Sequence, residues 1–98
     1  MSGIDAVKAA IKNISTSPNA KKCSDTIRSC LSNLIKSPSM AKFKKLQTTF
    51  KVIQDNIVNV KGGLELMKAV GFQESPGALE IKTVDTDLIK ATLDLLSL

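Results

Sequence analysis

The residues available to build a core in this chain are almost all Ile, Leu, Val and Ala, with three Phe and neither Trp nor Tyr among 98 residues. Short aliphatic side chains reach native packing density by interdigitating in rows along amphipathic elements, so the spacing of those rows decides the fold. Most of them recur at helical period. Ile4, Val7, Ile11 and Ile14 form a first stripe, with Ser2 placed as its N-cap and an end near Ser15. Turn chemistry at Pro18 and Asn19 follows. Ser24 is then placed to cap a second helix with inner face Ile27, Cys30, Leu31, Leu34 and Ile35, closed by Pro38.

Ser39 opens a short helix expected to present Phe43 and Leu46 inward, and Thr48 or Thr49 caps another, beginning near Phe50 and burying Ile53 and Ile57. The run Val-Asn-Val-Lys-Gly-Gly breaks that pattern, and residues 64–70 return to it. Beyond Gly71 the period changes. A Pro76-Gly77 turn separates two extended runs in which Leu79 and Ile81 alternate with Glu80 and Lys82, the pattern of a β-hairpin, and Val58 and Val60 offer a third strand. Asp85 or Thr86 caps a final helix bearing Leu88, Ile89, Leu93 and Leu96. The expected class is α+β: a compact helical domain with a small antiparallel β-sheet of about three short strands and a C-terminal helix, residues 1–98 forming a single domain. A helical body with a small hairpin is also similar to winged-helix folds, so architecture alone leaves nucleic-acid binding open.

No stretch approaches the roughly 18 consecutive apolar residues of a membrane span, and the first fifteen residues lack a secretory apolar core, so a cytoplasmic or nuclear setting is expected. Cys23 and Cys30 are seven apart, about 10 Å along one helix and beyond the roughly 7 Å reach of a disulfide, so both are read as reduced thiols on one helix face. With no His and no Cys-x-x-Cys spacing, no metal or cofactor is expected. No long apolar surface heptad points to self-association, so a monomer is expected.

Charge locates the function. Residues 36–51 hold five lysines, Lys36, Lys42, Lys44, Lys45 and Lys51, and no acid, whereas nine basic and nine acidic residues balance elsewhere in a chain of net charge +5. Confining the excess to one segment makes a directed potential suited to an anionic partner. An enzyme is not expected, because there is no His and no carboxylate pair free of lysine neighbours, and Gly62-Gly63-Leu64-Glu65 lacks the Lys and Ser/Thr of a phosphate loop. A nucleic-acid partner is the alternative, but a patch without Arg, Tyr or Trp would bind phosphates only through non-specific electrostatics.

Residues 34–72, LIKSPSMAKFKKLQTTFKVIQDNIVNVKGGLELMKAVGF, resemble the PUB domain found in peptide N-glycanases, certain UBX proteins and a linear-ubiquitin ligase. The family's Asn-Pro stop, Lys-Tyr-Arg segment, Ile-Arg pair, Val-Arg-Gly-Ala turn and Gly-Phe ending look like Ser37-Pro38, Lys42-Phe43-Lys44, Leu46-Gln47, Val60-Lys61-Gly62-Gly63 and Gly71-Phe72, ungapped.

The resemblance implies a non-catalytic adaptor that grips the acidic C-terminal tail of the valosin-containing AAA+ ATPase, ending in Leu-Tyr-Gly, in ubiquitin-dependent and ER-associated degradation pathways. Carried over position by position, the peptide-binding set is Lys42, Phe43 in place of a Tyr, Gln47 in place of an Arg, Phe50, Gly71 and Phe72, with Lys44, Lys45, Lys51 and Lys61 steering an acidic ligand electrostatically. Phe50 stands where the family places an Asn that hydrogen-bonds the tail. Losing that bond would cost roughly 1 to 3 kcal/mol. Either Phe50 fills the slot and weakens tail binding, or it stacks on a ligand aromatic and partly replaces the bond.

Overall fold

In the computed structural model, which describes residues 3–96, the first two aliphatic stripes become helices α1 (Gly3–Ser15) and α2 (Ala20–Lys36). α1 buries Val7, Ala10 and Ile14, and α2 buries Cys23, Ile27, Leu31 and Leu34. The Ser2 cap lies outside the described residues. α2 starts one turn earlier than Ser24 predicts. Ala20 N–H bonds the Ser17 carbonyl at 3.2 Å and Cys23 N–H bonds the Asn19 carbonyl at 3.0 Å, so the turn at residues 17–20 runs straight into the helix. Ser24 therefore sits within α2, and Cys23, one turn ahead of Ile27, extends the buried stripe. Both cysteines are free thiols, Cys23 buried and Cys30 half-buried.

After Pro38 a single turn, α3 (Ala41–Lys44), follows an extended Met40 and leads directly into β1 (Lys45–Gln47). Leu46, expected on a helix, is therefore in a strand. The cause is non-local: β1 pairs antiparallel with β3 (Ala78–Glu80), Lys45 opposite Glu80, Leu46 opposite Leu79 and Gln47 opposite Ala78. β2 (Gln73–Ser75) pairs with the other side of β3, giving the order β1-β3-β2 and bearing out the hairpin around Pro76-Gly77. The third strand is thus β1 and not the Val58/Val60 segment.

α4 (Lys51–Ile53) has Phe50 as its N-cap residue, without a side-chain cap hydrogen bond, where Thr48 or Thr49 was expected. Thr48 N–H is committed instead to the Gly77 carbonyl at 3.0 Å, continuing the β1–β3 ladder. α4 widens into a π-helical turn, Gln54–Val58, marked by Asn59 N–H bonding the Gln54 carbonyl at 2.9 Å. This turn buries Ile57 and leaves Val58 at its end, while Val60 is buried in the following loop.

α5 (Gly63–Ala69) begins beside Gly62, whose φ of +87° and close approach to α1 both exclude a side chain. It ends in a Schellman motif at Gly71 (φ +119°): Gly71 N–H bonds the Lys68 carbonyl at 3.1 Å and Phe72 N–H the Met67 carbonyl at 3.0 Å. Phe72 and Met67 are both buried, supplying the apolar contact that accompanies this motif. α6 (Thr86–Leu96) is capped as expected, Asp85 Oδ1 accepting from Leu88 N–H at 3.1 Å. It closes the core against α1 and α2, while α1 also packs on α5. The α+β class with a small antiparallel sheet and a C-terminal helix is therefore observed.

Candidate functional site

One groove brings together Lys42, Gln47 and Phe50 of the expected peptide-binding set, with Lys45 of the steering lysines. It is an open depression of about 460 Å³, lined by Ala41, Lys42, Lys45, Leu46, Gln47, Phe50 and Ile53. Three elements supply these residues. α3 contributes Ala41 and Lys42, β1 contributes three consecutive residues, and α4 contributes its N-cap Phe50 and its last residue Ile53. The β1–β3 pairing thus brings the lysines alongside Phe50 and Ile53, because it ends α3 after one turn and folds the chain back before α4.

The lining divides by chemistry. Ile53 is buried and Leu46 half-buried, so they form an apolar floor anchored to the core. Phe50 is 60% exposed, so its ring stands on the wall of the groove, adding nothing to the core and leaving the depression open. Val52 and Met40, next to the lining, are exposed as well. The rim is cationic. Lys42 Nζ lies 5.1 Å from the centroid of the half-buried Phe43 ring, which holds the ammonium at the groove edge. Lys45 Nζ is 3.8 Å from Glu80 Oε1 across the strand pair. Among the described residues, none of Lys36, Lys42, Lys44 and Lys51 has a carboxylate within ion-pair distance.

The remaining sequence-predicted residues lie elsewhere. Phe72 is buried and Gly71 is the left-handed residue ending α5, and neither lines the groove. Lys61 borders a separate depression with Val58, Leu64 and Lys68. Leu46 and Ile53, read from the sequence as core alone, also line the groove. An aliphatic side chain in an apolar stripe carries no signal of a binding role.

Among the described residues no group of His, Cys, Asp and Glu is placed to hold a metal ion, and no helix is long and apolar enough to cross a membrane. Burial raises the Cys23 thiol to about 11 and raises that of Cys30 as well, which keeps both protonated at neutral pH.

The PUB domain family model matches residues 17–93, spanning α2 through most of α6. The chain belongs to the PUB domain family. PUB domains are protein-interaction modules, and the groove is a concave surface of the kind such a module needs. The chain is also similar to Plant UBX domain-containing protein 2 of Arabidopsis thaliana, 37% identical over 49 residues, half of this chain but 11% of that protein's length. In this PUB domain, the glycines of the Val60-Lys61-Gly62-Gly63 turn and the Gly71-Phe72 pair are accounted for by folding: the first lets α5 approach α1, the second ends α5 and fills the core.

Proposed function

We propose that this chain is a non-catalytic peptide-docking module that takes the acidic C-terminal tail of a partner protein, as the family resemblance implies for the tail of the valosin-containing AAA+ ATPase. Residues 1–98 act as one such unit, in the cytoplasm. The single observation that carries this reading is the groove in which Lys42 and Lys45 rim an apolar floor of Leu46 and Ile53. Acidic residues of the tail meet the lysines and speed encounter, while an apolar side chain settles against Leu46 and Ile53 and sets affinity. Phe43 holds Lys42 in place, and Gln47 lines the groove beside it. Gly71 and Phe72 support the site from within the fold. Phe50 alters selectivity, since a phenyl ring cannot form the hydrogen bond that the family Asn gives to the ligand.

An amide NMR titration with a ten-residue acidic peptide ending in Leu-Tyr-Gly tests this. Saturable shifts at Lys42, Phe43, Gln47 and Phe50, lost when the last two peptide residues are removed, support the assignment. No shifts at millimolar peptide would refute it. A steep log-log loss of single-stranded DNA binding with salt, insensitive to sequence, would instead identify the nucleic-acid alternative.

A further inference from the structure

The groove has backbone as well as side-chain chemistry, and the register of the sheet specifies it. Ile81 N–H bonds the Lys44 carbonyl at 2.9 Å and Thr48 N–H the Gly77 carbonyl at 3.0 Å. In an antiparallel ladder these bonds make Leu46 and Leu79 the pair that exchanges both hydrogen bonds, and they turn the backbone groups of Lys45 and Gln47 away from β3. β1 is an edge strand. Its outward groups are not equivalent. The Gln47 carbonyl accepts Phe50 N–H at 3.1 Å, and the last turn of α3 directs Lys45 N–H back along that helix. The Lys45 carbonyl and Gln47 N–H remain without a partner among the described residues.

An acceptor and a donor two residues apart on one edge fit a single incoming residue. In a parallel pairing, the residue opposite Leu46 donates its N–H to the preceding carbonyl and accepts from the following N–H. Antiparallel pairing at Gln47 would need the carbonyl already held by Phe50. For the acidic tail of the peptide-docking reading, the order of charge along the chain gives the same direction. Along the chain Lys42 and Lys44 precede β1 and Lys45 opens it, whereas Phe50 and Ile53 follow it. A tail that is acidic first and apolar last matches this polarity only when it runs parallel to β1.

We propose that the groove binds an acidic peptide as a short fourth strand, parallel to β1. One peptide residue is clamped between the Lys45 carbonyl and Gln47 N–H, its upstream acids lie at the lysines, and its C-terminal apolar residues lie at Phe50 and Ile53. This mode rests on the peptide-docking reading and adds the backbone register and direction to it.

The test uses the ten-residue acidic peptide ending in Leu-Tyr-Gly and a set of variants in which one amide at a time is replaced by an ester, each titrated against the whole chain. Replacing the amide that meets Lys45 removes the donor, so one position is expected to lose about tenfold in affinity while most of the others change little. On the protein, Gln47→Pro deletes the clamping N–H without removing a β1–β3 ladder bond and is expected to bind about tenfold more weakly than Gln47→Ala, which loses the same side chain but keeps the N–H. The ester series needs no folded variant, so it decides the matter even if Gln47→Pro does not fold. A parent peptide that binds with no ester position sensitive overturns strand addition and leaves peptide docking standing. A parent peptide that does not bind overturns both.

Discussion

The Lys42 ammonium lies over the Phe43 ring, 5.1 Å from its centroid, so two adjacent residues of a one-turn helix fix a positive charge at the rim of an apolar groove. Lys42→Glu is expected to weaken an acidic peptide about tenfold at low salt, mainly through a slower association rate. The difference should shrink as added salt shortens the screening length. Because the position is exposed, thermal stability should move by no more than about 1 kcal/mol. Fluorescence anisotropy across a salt series measures both terms, and unchanged affinity would remove the lysine rim from the site.

On the proposed reading, Phe50 is expected to set the choice among ligand side chains in the groove. The wild-type chain is expected to bind peptides ending in Leu-Tyr-Gly and Leu-Phe-Gly about equally, because the Phe50 ring offers no partner for the tyrosine hydroxyl. Phe50→Asn should create a preference for Tyr of about tenfold. The ring is 60% exposed, so the exchange should alter folding stability by no more than about 0.5 kcal/mol. Paired isothermal titrations and a thermal melt report the two quantities separately.

Gly62 is the tightest constraint between α1 and α5. A Cβ there would lie 2.6 Å from the Ala10 carbonyl oxygen, on a backbone with φ of +87°. Gly62→Ala is expected to destabilise the chain by about 2 to 4 kcal/mol, combining backbone strain with a clash that backbone must absorb. At Gly71 the φ is also positive, but the nearest obstacle is the movable Ile81 Cδ1 at 3.3 Å, so Gly71→Ala should cost the backbone strain alone, about 1 to 3 kcal/mol and less than at Gly62. Urea denaturation of the two variants gives the ranking.

The buried thiol of Cys23 predicts a loss of stability in alkali. Its folded-state value of about 11 lies above the ordinary 9.0, so the folded chain holds a proton that the unfolded chain releases. Stability from this group is intact below pH 9 and falls between about pH 9 and 11, by at most about 1.4 kcal/mol per pH unit. Other groups titrate in this range too, so the diagnostic quantity is the slope. Urea midpoints from pH 8 to 11 should fall less steeply in Cys23→Ala than in the wild type.

The parts of the fold that were legible in the sequence are those specified by local period. Val7 and Ile14, Ile27 and Leu34, and Ile89 and Leu96 mark helix faces without reference to anything distant, and the Pro76-Gly77 turn marks its own hairpin. β1 was not legible, because Lys-Leu-Gln carries no strand signal and becomes a strand only by pairing with Leu79 and its neighbours. The alternating Val58 and Val60 carry the converse signal, a period of two that a π-helical turn and a buried loop position override. At the site, charge pattern was enough to locate Lys42 and Lys45. The division of Phe residues was not, since Phe50 faces solvent and Phe72 the core although both are equally apolar.

The partner of β1 lies far along the chain, residue 45 meeting residue 80, and this sets an order of events during synthesis. The lysines, Phe50 and Ile53 emerge from the ribosome well before the strand that must hold them in register. Until β3 is made, the pairing that holds residues 45–47 as a strand is missing, and the groove they line cannot take this shape. A ribosome-bound chain ending before residue 78 is expected to display the whole basic segment without that groove, so on the proposed reading competence for a peptide arrives late, as the hairpin closes.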